Sequence, residues 1–108
     1  MPQKILVSNF AFNVSREEFI AMSYRLAPRF AEVPGCIWKI WLIDEAKSEA
    51  GAVYLFKDEE AMQNFKASSL VASVLSHPAL SNFDFKERAI QKAASEVTHA
   101  PLMEETTV

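Results

Sequence analysis

Few residues in this chain have the chemistry to move a proton, attack a carbonyl or hold a metal. Histidine is the side chain whose ordinary titration range best suits proton transfer, and His77 is the one histidine expected inside the folded body; His99 lies near the end. His77 directly precedes Pro78 at the end of a helical pattern, a position that also fits a simple helix cap. Cys36 is the only cysteine, and Cys36, His77 and His99 are too far apart to form a ligand motif, so no metal is expected. No G-x-S-x-G is present, and 2 glycines cannot build a phosphate cradle. The chain is instead rich in rings: 8 Phe, 2 Trp and 2 Tyr, enough either to fill a core or to wall an apolar pocket.

The elements that would position these rings follow from periodicity. Residues Lys4 to Phe12 alternate as a strand, with Ile5, Val7, Asn9 and Ala11 on one side and Leu6, Ser8, Phe10 and Phe12 on the other. Ser15 and Glu18 fit a capping box that opens a helix whose stripe is Phe19, Met22, Leu26 and Phe30. Pro28 is expected to kink or end it. After the Pro34-Gly35 turn, Cys36 to Ile43 is dense in β-branched and aromatic residues and reads as a second strand. Asp44 to Glu49 makes a hairpin connection, and Ala50 to Phe56 a third strand, in which Gly51 permits a bulge or a close backbone approach. Asp58 caps a second helix with Met62, Phe65 and Ser69 inward; Leu70, Val71, Val74 and Leu75 continue helical spacing to His77-Pro78. Asn82 to Gln91 is the fourth strand.

The order β-α-β-β-α-β predicts an α+β, ferredoxin-like domain with both helices on one face of a four-stranded antiparallel sheet. The other face would then be bare and apolar, which predicts a homodimer packed sheet to sheet. Trp38 and Trp41 differ by an odd number of positions and so project from opposite faces. At 108 residues, 50% of them hydrophobic, the chain makes one domain, expected over residues 1–102, with a loose tail at 103–108. The lone cysteine and the lack of an apolar leader point to the cytoplasm, and no apolar run is long enough to cross a membrane. The net charge of −3 argues against nucleic acid as a partner.

Phe10-Ala11-Phe12-Asn13, then Pro34-Gly35 with Trp38-Lys39-Ile40-Trp41, then Glu49 through Asp58 together resemble the YdhR-type monooxygenase family. The likeness is densest from Pro34 to Asp58 and fainter through the second helix and Ser95 to Thr98. Ala52 stands where relatives commonly carry glycine, and Ser68 to Phe83 aligns poorly. The resemblance implies a dimeric α/β barrel with a cavity between sheet and helices in each subunit. Some members of that wider fold group oxygenate electron-rich polycyclic phenols without metal or flavin; others bind and open haem.

In the first case the substrate is its own reductant, and the partners are an aromatic phenol or quinol and molecular oxygen, with no cofactor. The protein then needs a dry pocket, a hydrogen-bond donor or two, and a base. Phe10, Phe12, Trp38 and Tyr54 would be the stacking walls, and Asn13, Tyr24 or an indole N–H the donors. His77, or Glu49 if buried, would be the base. A carrier or protective protein of the same shape and a haem-binding homologue are the competing readings. Trp38 toward the cavity with Trp41 toward a partner subunit is one assignment of the pair, and the reverse is the other.

Overall fold

The computed structural model describes residues 2–103. The elements are β1 (Lys4–Phe12), α1 (Arg16–Ala31), β2 (Cys36–Asp44), β3 (Glu49–Phe56), α2 (Glu59–Lys66), α3 (Ser69–Leu75), β4 (Leu80–Ala89) and α4 (Lys92–Val97). The strands form one sheet in the order β2-β3-β1-β4, and every pairing is antiparallel. This is the expected ferredoxin-like arrangement. Of the proposed tail, Met103 alone is described; its backbone N–H donates to Gln3 Oε1 at 3.1 Å and its carbonyl accepts from Gln3 Nε2 at 2.6 Å.

Local chemistry sets the helix starts. The Ser15 hydroxyl accepts from the Glu18 N–H at 3.1 Å, the Asp58 carboxylate from Ala61 N–H at 2.8 Å, and the Ser68 hydroxyl from Val71 N–H at 3.3 Å. Ser68 thereby starts α3 as a separate helix, and Ser69, expected inward, is exposed. Pro28 does not end α1, which runs on to Ala31. Its missing N–H deprives only the Tyr24 carbonyl of a partner, and Tyr24 lies on the wet side of the helix, where water can substitute.

Alternation along the strands divides the sheet into two faces. Leu6, Ala52, Tyr54 and Phe56 pack against Phe30 of α1, Met62 and Phe65 of α2 and Val71 of α3. Phe12, Ala50 and Leu80 pack against Phe19 at the other end of the layer. The opposite face carries Val7, Ile40 and Val53 in cross-strand register, and Ile40 and Leu42 remain exposed there. One end of that face is not bare as expected. The chain returns to it after α4, and Trp38 Nε1 donates to the Pro101 carbonyl at 2.7 Å, beside the fully buried Leu55. α4 itself is only six residues with none buried, too short and too polar to leave a periodic signal.

Two glycines are fixed by geometry. Gly35 has φ +78°, and a Cβ there would also collide with Ala61. A Cβ on Gly51 would strike the Ser8 carbonyl oxygen of the neighbouring strand, which cannot retreat without opening the β1–β3 ladder. Gly51→Ala should therefore lower stability by about 1–3 kcal/mol, read as a fall in the denaturant midpoint. A midpoint equal to wild type would show that β1 and β3 are not so closely apposed.

Candidate active site

The small inner-face residues of β3, Ala50 and Ala52, leave the sheet–helix layer underfilled midway along its length. Rings from six elements surround the gap, among them Phe10 of β1, Phe19 and Phe30 of α1, Trp41 of β2 and Tyr54 of β3, with Met22, Leu26 and Val74 closing it. The chamber measures about 50 Å³, room for a few water-sized molecules or one dioxygen. Phe30 meets Trp41 edge to face at 5.3 Å between centroids, and Tyr54 lies 5.0 Å from Phe65.

Two grooves adjoin the chamber where α1 lies over the edge strand β2. One, about 330 Å³, runs along Phe19, Ile20, Ser23, Tyr24, Ala27 and Trp41 to Ile43. The other, about 260 Å³, lies between Ala27, Phe30 and Ala31 of α1 and Cys36, Trp38 and Lys39 of β2. Trp41 is the wall common to all three spaces. An ion pair between Arg16 and Glu45 ties the start of α1 to the β2–β3 turn beyond the groove.

Lys39 supplies the chamber's charge. It shares the inner face with Trp41, two residues on, and stands opposite Tyr54 in the ladder. Its Nζ lies 3.3 Å from the ring centre of Phe30, 3.5 Å from Trp41 and 4.9 Å from Tyr54. No carboxylate pairs with it among the described residues. Burial among these rings lowers its pKa to about 7, opposed by a smaller effect of the Cys36 side chain. Burial also pushes the Tyr54 phenol up, against a hydrogen bond with Ser8, and raises the Cys36 thiol, against the nearby Lys39.

The residues singled out from sequence are dispersed by the fold. Phe10 and Tyr54 line the chamber. Phe12 sits behind it, stacked on Phe19 at 4.5 Å. Tyr24 and Trp38 each border a groove rather than the chamber, so it is Trp41, not Trp38, that faces inward. The cause is register: a bulge between Cys36 and Trp38 sets Trp38 opposite Leu55 on the far face, leaving Lys39 and Trp41 inside. Asn13 is exposed and donates to the Pro78 carbonyl at 3.2 Å. His77 accepts the Ala79 N–H on Nδ1 at 3.1 Å, a turn-capping role, and Glu49 is exposed at the mouth of the hairpin. Neither reaches the chamber or its grooves. Lys39 escaped the sequence reading because a lysine in an edge strand looks like a solvated interruption; its spacing from Trp41 was the available signal.

Lys39 also makes stability depend on pH. Unfolded, its amine keeps a proton up to about 10.5; folded, it gives that proton up near 7. Between those values the unfolded state binds more protons, so stability from this group rises as pH rises from 7 to 10.5 and is lowest below 7. Lys39→Met should stabilise the fold at pH 6 by roughly 1–3 kcal/mol after discounting for partial solvation, with the gain shrinking toward pH 10. Urea denaturation across that range checks it; a variant less stable than wild type at pH 6 would contradict the burial of the amine.

The family described as "Putative mono-oxygenase ydhR" matches residues 5–101. A comparison with curated sequences gave no significant match. Among solved structures, SnoaB from Streptomyces nogalater, a cofactor-independent oxygenase, is similar with a TM-score of 0.69 at 19% identity over 86% of this chain and 97% of that one. The NE2512 protein of unknown function from Nitrosomonas europaea gives 0.72 at 16% over 86% and 93%. Protein SO0527 from Shewanella oneidensis gives 0.68 at 18% over 82% and 91%. At these identities the structures speak for the fold, whereas the match across nearly the whole sequence decides kinship. This chain belongs to the ydhR mono-oxygenase family.

Proposed function

We propose that the protein is a cofactor-independent monooxygenase acting on a hydroxyaromatic compound of the phenol or quinol type. Family membership supports the monooxygenase class, and the observation that carries the finer reading is a pair of spaces divided by Trp41. The outer groove, at about 330 Å³, is of a size to take an aromatic ring system. The inner chamber, at about 50 Å³ and walled by rings, suits dioxygen.

In this reading the substrate loses its phenolic proton, and the electron-rich anion gives one electron to dioxygen. Superoxide and the substrate radical then combine at a ring carbon that bears hydrogen. Loss of water from the resulting hydroperoxide leaves a carbonyl, so one oxygen atom enters product and the other leaves as water. The protein orients the ring, excludes bulk water and holds the anion. Phe10 and Tyr54 are the sequence candidates placed to serve as walls, with Trp41 in the part first given to Trp38. His77 and Glu49 lie too far out to act as the base. No histidine lines the chamber among the described residues, so the proximal ligand of globin- and peroxidase-type haem is not offered there.

The homodimer belongs to the same proposal. Ile40 is 48% and Leu42 42% exposed on the sheet face away from the helices, and a second copy packed on that face would cover them.

Oxygen uptake by chelator-treated protein over hydroxyanthrones, hydroquinones and naphthols, against a boiled control, tests the activity. Protein-dependent uptake is expected, reduced at least about tenfold in Trp41→Ala. Saturable binding of the same compounds without uptake would instead leave a carrier. Ile40→Lys should convert a sedimenting dimer to monomer while leaving the chamber intact; an unchanged sedimentation coefficient would remove the sheet-to-sheet interface.

A further inference from the structure

Lys39 is the one charged side chain among the described residues that line the chamber, and also the one charged side chain in the smaller groove beside it. It points its Nζ at ring faces rather than at a carboxylate. A lysine whose task was only to make the edge strand soluble would extend outward, as the side chains at Lys47 and Lys57 are free to do. The other titratable groups facing it are the Cys36 thiol and the Tyr54 phenol, both held neutral by burial. α1 lines these two spaces with apolar side chains and the Ser23 hydroxyl, and α2 with Phe65, so neither helix brings a titratable group to the amine. An amine so placed lacks an anion, and the space beside it opens to the grooves.

We infer that Lys39 takes the acidic proton of the ligand and then holds the resulting oxyanion, so that the site selects phenols or enols that ionise near neutral pH. This rests on the proposed hydroxyaromatic occupant. The ligand O–H bond breaks with its electron pair left on oxygen, the proton forms the third N–H bond of the ammonium, and no electron changes hands. The product is a neutral ion pair, which an apolar chamber tolerates far better than either ion alone. The rings of Phe30 and Trp41 stabilise the ammonium so formed. The lowered affinity of the free amine for protons, set by burial, matches it to ligands of similar acidity rather than to simple phenols.

The probe is 4-nitrophenol, whose anion is yellow and whose electron-poor ring resists oxygenation, so that binding is read apart from turnover. At pH 6 the visible band should grow as wild-type protein is added. Lys39→Met, expected to fold at least as well, should abolish that growth and weaken binding about tenfold. Lys39→Arg, always charged, should restore anion binding and keep it as pH rises above about 8, where the free wild-type amine has lost its proton. In parallel, wild type dimethylated on its amines with ¹³C-formaldehyde should show the Lys39 resonance titrating at higher pH once nitrophenol is bound. A band that persists in Lys39→Met, binding to wild type without a band, no binding at all, or an unmoved Lys39 titration would each overturn the inference. A Lys39-dependent band in a protein that consumes no oxygen with hydroxyanthrones would uphold it and remove the oxygenase reading instead.

Discussion

The close packing of β3 against β1 governs the rest of the molecule. Gly51 lets the two strands approach because it has no Cβ to strike the Ser8 carbonyl, and its neighbours Ala50 and Ala52 put little volume into the layer above. Further along the same inner face Tyr54 and Phe56 are large and bury completely or nearly so. The face thus steps from small to large. α1, α2 and α3 rest on the large residues through Phe30, Phe65 and Val71, α1 meets the sheet again at Ala50 through Phe19, and the chamber lies between these two contacts.

An underfilled layer inside a 108-residue protein costs stability, and here the rings limit that cost through the edge-to-face contact of Phe30 with Trp41 and the tilted contact of Tyr54 with Phe65. β2, as an edge strand, brings Lys39 and Trp41 to the opening with water on one side and rings on the other. A charged group in that setting is destabilised in its charged form, which makes Lys39 responsive to whatever enters beside it. Stability given up at this point is the physical signature of a site rather than of a finished core.

Much of this architecture is legible in the sequence. Two-residue alternation in Lys4–Phe12 and Glu49–Phe56, the Ser15 and Asp58 caps, and the Pro34-Gly35 turn between helix and strand suffice to give the element order and so the sheet topology. Pro28 misled because a proline near the end of a helix removes one hydrogen bond from a solvated turn, which the helix survives. The site was harder to read. Phe10 and Tyr54 were visible as inward-facing rings, but the inward member of the tryptophan pair depends on a bulge at Cys36–Trp38 that periodicity does not reveal. His77 and Glu49 drew attention through residue type alone, and type says nothing about distance from a chamber. The returning segment at Pro101 escaped notice because a single backbone carbonyl holds it to Trp38.

Dioxygen in this chamber is proposed to react with an anion held in the space beside it, and isotopic labelling addresses that reaction most directly. A hydroxyanthrone incubated with the chelator-treated protein under ¹⁸O₂ should yield a quinone carrying a single ¹⁸O atom, with the second atom in water, at a rate proportional to protein. Product label that is independent of the protein, or quinone oxygen derived from unlabelled water, would contradict the account.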